Sequence, residues 1–121
     1  MRAQIAPDKW EELAECIGSY LVYAKQKYGV EPDMFSFNEP DWGVMLELTP
    51  EEQRDVIKLL GKQFVKLGLK TKLLLADVTN PRGTAKYAEP TVADPEAMQY
   101  VAAIAFHSWG GGYARAVWAV A

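Results

Sequence analysis

Three short runs that read as strands, residues 34–37, 70–76 and 101–106, are separated by stretches with helical periodicity, and this alternation constrains the fold more than any other feature of the chain. Between residues 8 and 28 the apolar positions Trp10, Leu13, Ala14, Ile17, Leu21, Ala24 and Tyr28 recur at the three-four spacing of one helical face. Val56, Ile57, Leu60, Phe64 and Leu67 repeat the pattern in a second stretch. Short strands alternating with helices require crossover connections, and crossovers make the strands parallel with helices packed on the sheet. The class this predicts is α/β.

Local signals set the boundaries. Gly29 is a stop for the first helix, and residues 30–33 form a short connection into the first strand. Thr49, Pro50 and Glu52 supply an N-cap threonine, a proline at the first helical position and a glutamate three residues after the cap. Gly68 ends that second helix. Asp94-Pro95-Glu96 reads as the capped start of a short third helix, and residues 113–120 as a last one. Residues 77–93 are expected to be the one long irregular segment, and long loops in such domains are usually functional.

With 121 residues, half of them apolar, the chain has the length of about one domain and enough apolar side chains for a core. A net charge of −3 with both signs interspersed gives no clustered basic footprint, which argues against nucleic acid as a partner. The longest apolar runs fall far short of the roughly 20 residues a membrane helix needs, and residues 1–7 do not resemble a signal peptide. Cys16 is the lone cysteine and lies among apolar residues, so it is expected to be a small buried hydrophobe.

Polar side chains follow each strand: Asn38, Glu39, Asp41 and Trp42 after the first, Asp77, Thr79, Asn80 and Arg82 after the second, His107, Ser108 and Trp109 after the third. In a parallel sheet all C-terminal strand ends lie on one side, so these groups are expected to share a rim. Pro40 ends the first strand and restrains the backbone of Glu39, a fixed mount for an acid. Aromatic planes stack on the apolar face of a sugar, amide, carboxylate and imidazole groups exchange hydrogen bonds with its hydroxyls, and a glutamate can donate or accept a proton.

Several of these residues also have plainer readings. Glu39 could be a solvated loop residue and Asn38 a strand terminator bonded to the backbone. His107 reads either as a ligand contact or as a hydrogen-bonded structural histidine, and Trp42 and Trp109 either as sugar platforms or as packing anchors. Asp77 and Asn80 sit in an Asp-x-x-Asn-Pro sequence that is also ordinary turn chemistry. Trp10 and Trp118 are assigned to helix packing. One histidine and one cysteine give no zinc spacing, the acidic residues lack a calcium-loop pattern, and Gly110-Gly111-Gly112 has no following Lys-Ser/Thr, so neither a metal nor another cofactor is expected. No nucleophile-elbow motif accompanies Ser108.

The segments Phe35-Ser36-Phe37-Asn38-Glu39-Pro40, Lys72-Leu73-Leu74-Leu75-Ala76-Asp77 and Ile104-Ala105-Phe106-His107-Ser108-Trp109 together resemble the middle of the barrel of clan A glycoside hydrolases, most like family 30 and its relatives. The resemblance spans nearly the whole chain and implies part of a (β/α)8 barrel, around its fourth to sixth strands. It implies that Glu39 is the general acid/base of a retaining double displacement, that Asn38 holds the sugar's 2-hydroxyl, and that His107 and Trp109 line the same subsite. The nucleophile of such enzymes is a second carboxylate about 5–5.5 Å away, which the resemblance places after the seventh strand; Glu89, Asp94 and Glu96 do not fit that place. A full barrel takes about 250 residues, so the expectation is an incomplete barrel, inactive alone, with a carbohydrate substrate and with self-association or a complementing barrel segment covering its open edges. A carbohydrate-binding or barrel-pairing module without turnover, and an unrelated small α/β binding domain, are the competing readings.

Overall fold

A computed structural model describes residues 5–42 and 46–107. Within them the order is α1 (Trp10–Tyr28), β1 (Met34–Phe35), α2 (Pro50–Lys66), β2 (Lys72–Val78), α3 (Thr84–Val92), α4 (Pro95–Met98) and β3 (Val101–Phe106). The expected helix at 113–120, with Trp118 and the glycine run, lies outside the described residues. The strands form one parallel sheet in the order β1-β2-β3, with Phe35 beside Leu73 and Leu75 beside Ile104. This is the α/β arrangement of consecutive strand-helix units in a barrel wall, as expected.

Helix α1 follows a 3-10 turn at Pro7–Lys9, carries Glu11 and Glu12 in its first turn and Lys25 and Lys27 in its last, and so opposes the helix dipole with charge of the right sign at both ends. Gly29 closes it at φ 68°, its N–H donating to the Lys25 carbonyl at 3.0 Å. Helix α2 starts on the anticipated capping box: Glu52 N–H donates to Thr49 Oγ1 at 3.1 Å, and Thr49 N–H to Glu52 Oε2 at 2.7 Å. Its buried stripe of Gln53, Val56, Ile57, Leu60, Gly61 and Phe64 meets β2, where Leu73, Leu75 and Val78 are fully buried. Phe35 of β1 packs edge-on against Phe64, ring centres 6.5 Å apart. Leu21 and Ala14 of α1 and Tyr87 and Ala88 of α3 complete the core on either side of α2, and Trp10 packs against its edge.

Strand side chains alternate between faces, and among the described residues the face away from the helices is only partly covered. Leu74 is half-buried, while its ladder partner Ala103 is exposed, as is Met34 at the start of β1. This is the face that lines the interior when such a wall closes into a barrel.

Four expectations need correction. Residues 77–93 are not irregular: a 3-10 turn at Pro81–Gly83, capped by Asn80 Oδ1 accepting from Arg82 N–H at 3.1 Å, leads into α3. The face α3 buries is Thr84, Tyr87, Ala88 and Thr91, a helical spacing in which two of four positions are threonine, so an apolar count does not register it. Pro90 removes one N–H from the ladder only two residues before the helix ends. Second, β2 runs two residues past Ala76, so Asp77 lies within the strand rather than after it. Third, β1 is only Met34–Phe35, since residues 36 and 37 leave the ladder. Fourth, Cys16 is exposed; two residues from buried Ala14, it turns about 200° around the axis to the solvent side.

Two measurements probe this packing. A Cβ built on Gly61 would fall 2.1 Å from Cγ of the Tyr100 ring, so Gly61→Ala is expected to cost about 1–3 kcal/mol in overpacking, outweighing the gain of about 1 kcal/mol in helix propensity, and to lower the thermal midpoint. The second concerns α4, which is tied to α2 by Lys58 on Asp94 at 3.0 Å and Lys62 on Glu96 at 2.6 Å. The hydrogen bond from Lys58 holds the Asp94 carboxyl below its ordinary range, and that from Lys62 does the same for Glu96. A carboxyl whose folded value is depressed stabilises the fold above its unfolded value of about 4 and loses that contribution as pH falls through the folded value. Denaturant melts between pH 6 and pH 2.5 should therefore show a loss at the acid end that is smaller in Asp94→Asn, which keeps a capping side chain but not the charge.

Candidate functional site

The chain leaves β1 at Phe35 and turns at Pro40, which is buried and whose carbonyl accepts from Leu48 N–H at 3.0 Å. That turn presents Glu39 at the C-terminal end of the sheet. Asp41 secures it from the other side, accepting from Thr79 N–H at 2.9 Å and from the Thr79 hydroxyl at 2.8 Å, so the segment after β1 is fastened directly to the residue after β2. Hydrogen bonds to a charged acceptor are stronger than neutral ones.

His107 follows β3 immediately. Its N–H donates to the Val78 carbonyl at 2.7 Å, extending the β2-β3 ladder by one residue and fixing the imidazole's mount. From there Nε2 lies 2.7 Å from Glu39 Oε1 and 3.5 Å from Asp77 Oδ1. Asp77 in turn accepts from the hydroxyl of Ser36. Residues 36, 39, 77 and 107, drawn from all three strand ends, thus form one connected group. It is partly shielded: the side chains of Asp77, Glu39 and His107 are 19%, 25% and 36% exposed.

Asp77 reaches this position through an irregular backbone. Ala76 and Asp77 have φ of 67° and 51°, and the β2-β3 register slips between Ala76 and Val78. The left-handed conformation costs a residue with a Cβ about 1–2 kcal/mol, a cost that aspartate bears more readily than alanine. A buried side chain on α2 meets the bulge, Gln53 Nε2 donating to the Ala76 carbonyl at 2.9 Å.

Of the side chains singled out from the sequence, Glu39, Asp77 and His107 are in mutual reach. Asn38 donates from Nδ2 to the Leu46 carbonyl at 2.8 Å, a side-chain to backbone bond that ties down the far end of the following loop. Trp42 lies on the turn after Pro40 and is 65% exposed. Asn80 serves the local turn. Trp109 and Ser108 lie outside the described residues. Sequence reasoning passed over Ser36 and Gln53. The signals existed: a lone hydroxyl between Phe35 and Phe37, and a glutamine three and four residues before Val56 and Ile57 on an apolar stripe. The described residues hold no group of three or more His, Cys, Asp or Glu side chains able to bind a metal ion.

No protein-family model matches the chain, and no curated protein does. Solved structures do. The crystal structure of SrfJ from Salmonella typhimurium superposes with a TM-score of 0.83 at 19% identity, covering 96% of this chain and 27% of that one. A glycoside hydrolase family 30 subfamily 8 xylanase, Xyn30A from Clostridium acetobutylicum, superposes with a TM-score of 0.73 at 23% identity, over 90% of this chain and 28% of that one. The chain thus spans just over a quarter of the length of either structure, and at these identities the likeness is one of fold: a partial barrel wall of three parallel strands with flanking helices.

Proposed function

We propose that this chain carries the acid/base half of a retaining glycoside hydrolase site, with Glu39 as the proton donor and acceptor. The observation that supports the reading best is the 2.7 Å contact between Glu39 Oε1 and His107 Nε2 at the strand-end rim. A glutamate in this role changes protonation twice per turnover, and the partner suits both states. A neutral imidazole protonated on Nε2 donates to Oε1 whether the carboxyl is ionised or carries its proton on Oε2, which leaves Oε2 to give the proton to the substrate and take it back. The contact therefore survives the proton's departure and return, and Glu39 keeps its aim.

In this reading Glu39 protonates the glycosidic oxygen as the bond to the sugar breaks, and then takes a proton from the water that releases the sugar from its covalent intermediate. Asn38 faces the 2-hydroxyl, and Trp42 and Trp109 offer indole planes to the sugar ring. Asp77 serves His107 rather than the sugar, because its oxygens are directed to the imidazole and to Ser36. The nucleophile is a carboxylate from another barrel segment, which also covers the sheet face that exposes Met34 and Ala103. The likeness to a xylanase makes β-xylosides the first substrates to try.

Assays on aryl β-glycosides test this reading. The chain alone is expected to release no nitrophenol. Co-refolded with a complementing segment that brings the nucleophile, it is expected to turn over, and Glu39→Gln should then lower kcat by about 10²–10⁴-fold. The loss should be smaller with a dinitrophenyl leaving group, which departs without a proton, than with an alkyl one. Equal losses for the two, or activity that survives Glu39→Gln, would remove Glu39 from the role. Light scattering on the chain alone reports whether a second copy takes the segment's place.

A further inference from the structure

The rim chemistry draws on a residue that lies outside it. Gln53, on the first turn of α2, is 1% exposed and continues the stripe of Val56, Ile57, Leu60 and Phe64, a place where an apolar side chain would pack without the penalty of burying an amide. Its Oε1 accepts no hydrogen bond among the described residues, so packing does not account for it. Its Nε2 does have a partner, the Ala76 carbonyl at 2.9 Å. Ala76 opens the bulge in β2, where two consecutive residues other than glycine take positive φ and the ladder register slips. A bulge leaves a residue without its ladder partner, and a carbonyl buried there must find another donor.

We infer that Gln53 is a positioning residue for the rim: by donating to the Ala76 carbonyl it holds the left-handed bulge that aims the Asp77 carboxylate at the His107 imidazole and the Ser36 hydroxyl. The connection runs from the apolar side of the sheet, through one peptide carbonyl, to the opposite face. With a regular β2, the alternation of side chains would be set by Leu73 and Leu75, and Asp77 would fall on their side, toward the helices. The bulge shifts that parity by one residue, which leaves Val78 fully buried and turns Asp77 to the rim. That this arrangement serves proton transfer rests on the glycosidase reading; the geometric link does not.

His107 is the only histidine of the chain, so in tag-free, isotope-labelled protein every imidazole signal in the nuclear magnetic resonance spectrum belongs to it. In Gln53→Met, matched in volume but without a donor, the His107 Nε2 and Cε1 signals are expected to move toward their positions in Asp77→Asn, by at least half the distance. Adding Ala76→Gly, which takes positive φ without a Cβ clash, should bring them at least halfway back. Signals unmoved in a folded Gln53→Met, or not restored in the double variant, overturn the inference. The unmodified chain decides the matter if Gln53→Met does not fold. A coupling across the hydrogen bond between Gln53 Nε2 and the Ala76 carbonyl carbon is expected; its absence, with the Gln53 amide exchanging as fast as that of exposed Gln26, overturns it equally. Activity that survived Glu39→Gln would end the glycosidase reading without bearing on the signals of the Gln53 variants, whereas unmoved signals in Gln53→Met would end the role of Gln53 and leave Glu39 in place.

Discussion

Everything at the rim is registered to the central strand. β2 is hydrogen-bonded to a parallel neighbour on each edge, and its helix-facing side chains Leu73, Leu75 and Val78 have no exposure at all. A one-residue slip would exchange its two faces, placing Leu74 in the helix layer and Leu73 outside it, so the register is held by the apolar packing of α2 and α3. Once β2 is fixed, the pairing of Leu75 with Ile104 and of Val78 with Phe106 sets where β3 ends, and hence where His107 begins. On the other edge, two ladder residues suffice for β1 because Asp41 and Thr79 fasten the exiting chain a second time. A site assembled from three strand ends needs all three registers at once, and a common neighbour supplies them.

The features that were legible in the sequence have local causes. A capping box lies within four consecutive residues, so Thr49-Pro50-Glu51-Glu52 announces α2 without reference to the rest of the chain. Gly29 and Gly68 mark helix ends because positive φ at those positions is a property of the residue itself. The illegible features have distant causes. Helix α3 buries a face of which half is threonine, and only the neighbouring α2 and β2 make that face worth burying. The bulge at Ala76 and Asp77 contains no glycine, so nothing local marks it; its support arrives from Gln53, more than twenty residues away. Cys16 shows the reverse error: Leu13, Ala14 and Ile17 close by are apolar, but its place around the helix axis is solvent.

The bulge also gives the site its asymmetry. His107 stands on the first residue after β3 and Glu39 on the turn that follows β1, where a polar side chain is common and carries little conformational cost. Asp77 stands inside a strand, on strained backbone, with a hydroxyl and an imidazole as its partners. Strained conformations persist only where the surroundings over-determine them. Here they do so from both sides: the Gln53 amide holds the preceding carbonyl, and the Val78 carbonyl just after the bulge accepts the N–H of His107. The same peptide segment therefore fixes the acid and the imidazole it faces.

Identity near 20% with superposition over nearly the whole chain arises when a fold depends on pattern and volume rather than on particular side chains. The layer of α1, α2 and α3 on β2 requires apolar residues at the right spacing and tolerates exchange among them. Likeness of fold therefore carries little information about chemistry, and function has to be argued from the site. In this chain the two are joined at one place. The Gln53 amide belongs to the apolar stripe by position and to the rim by its hydrogen bond, so the packing that makes the fold also directs Asp77, and through Asp77 the imidazole that meets Glu39. A sequence that kept the pattern but replaced that amide would keep the barrel wall and lose the aim of Asp77 at the imidazole.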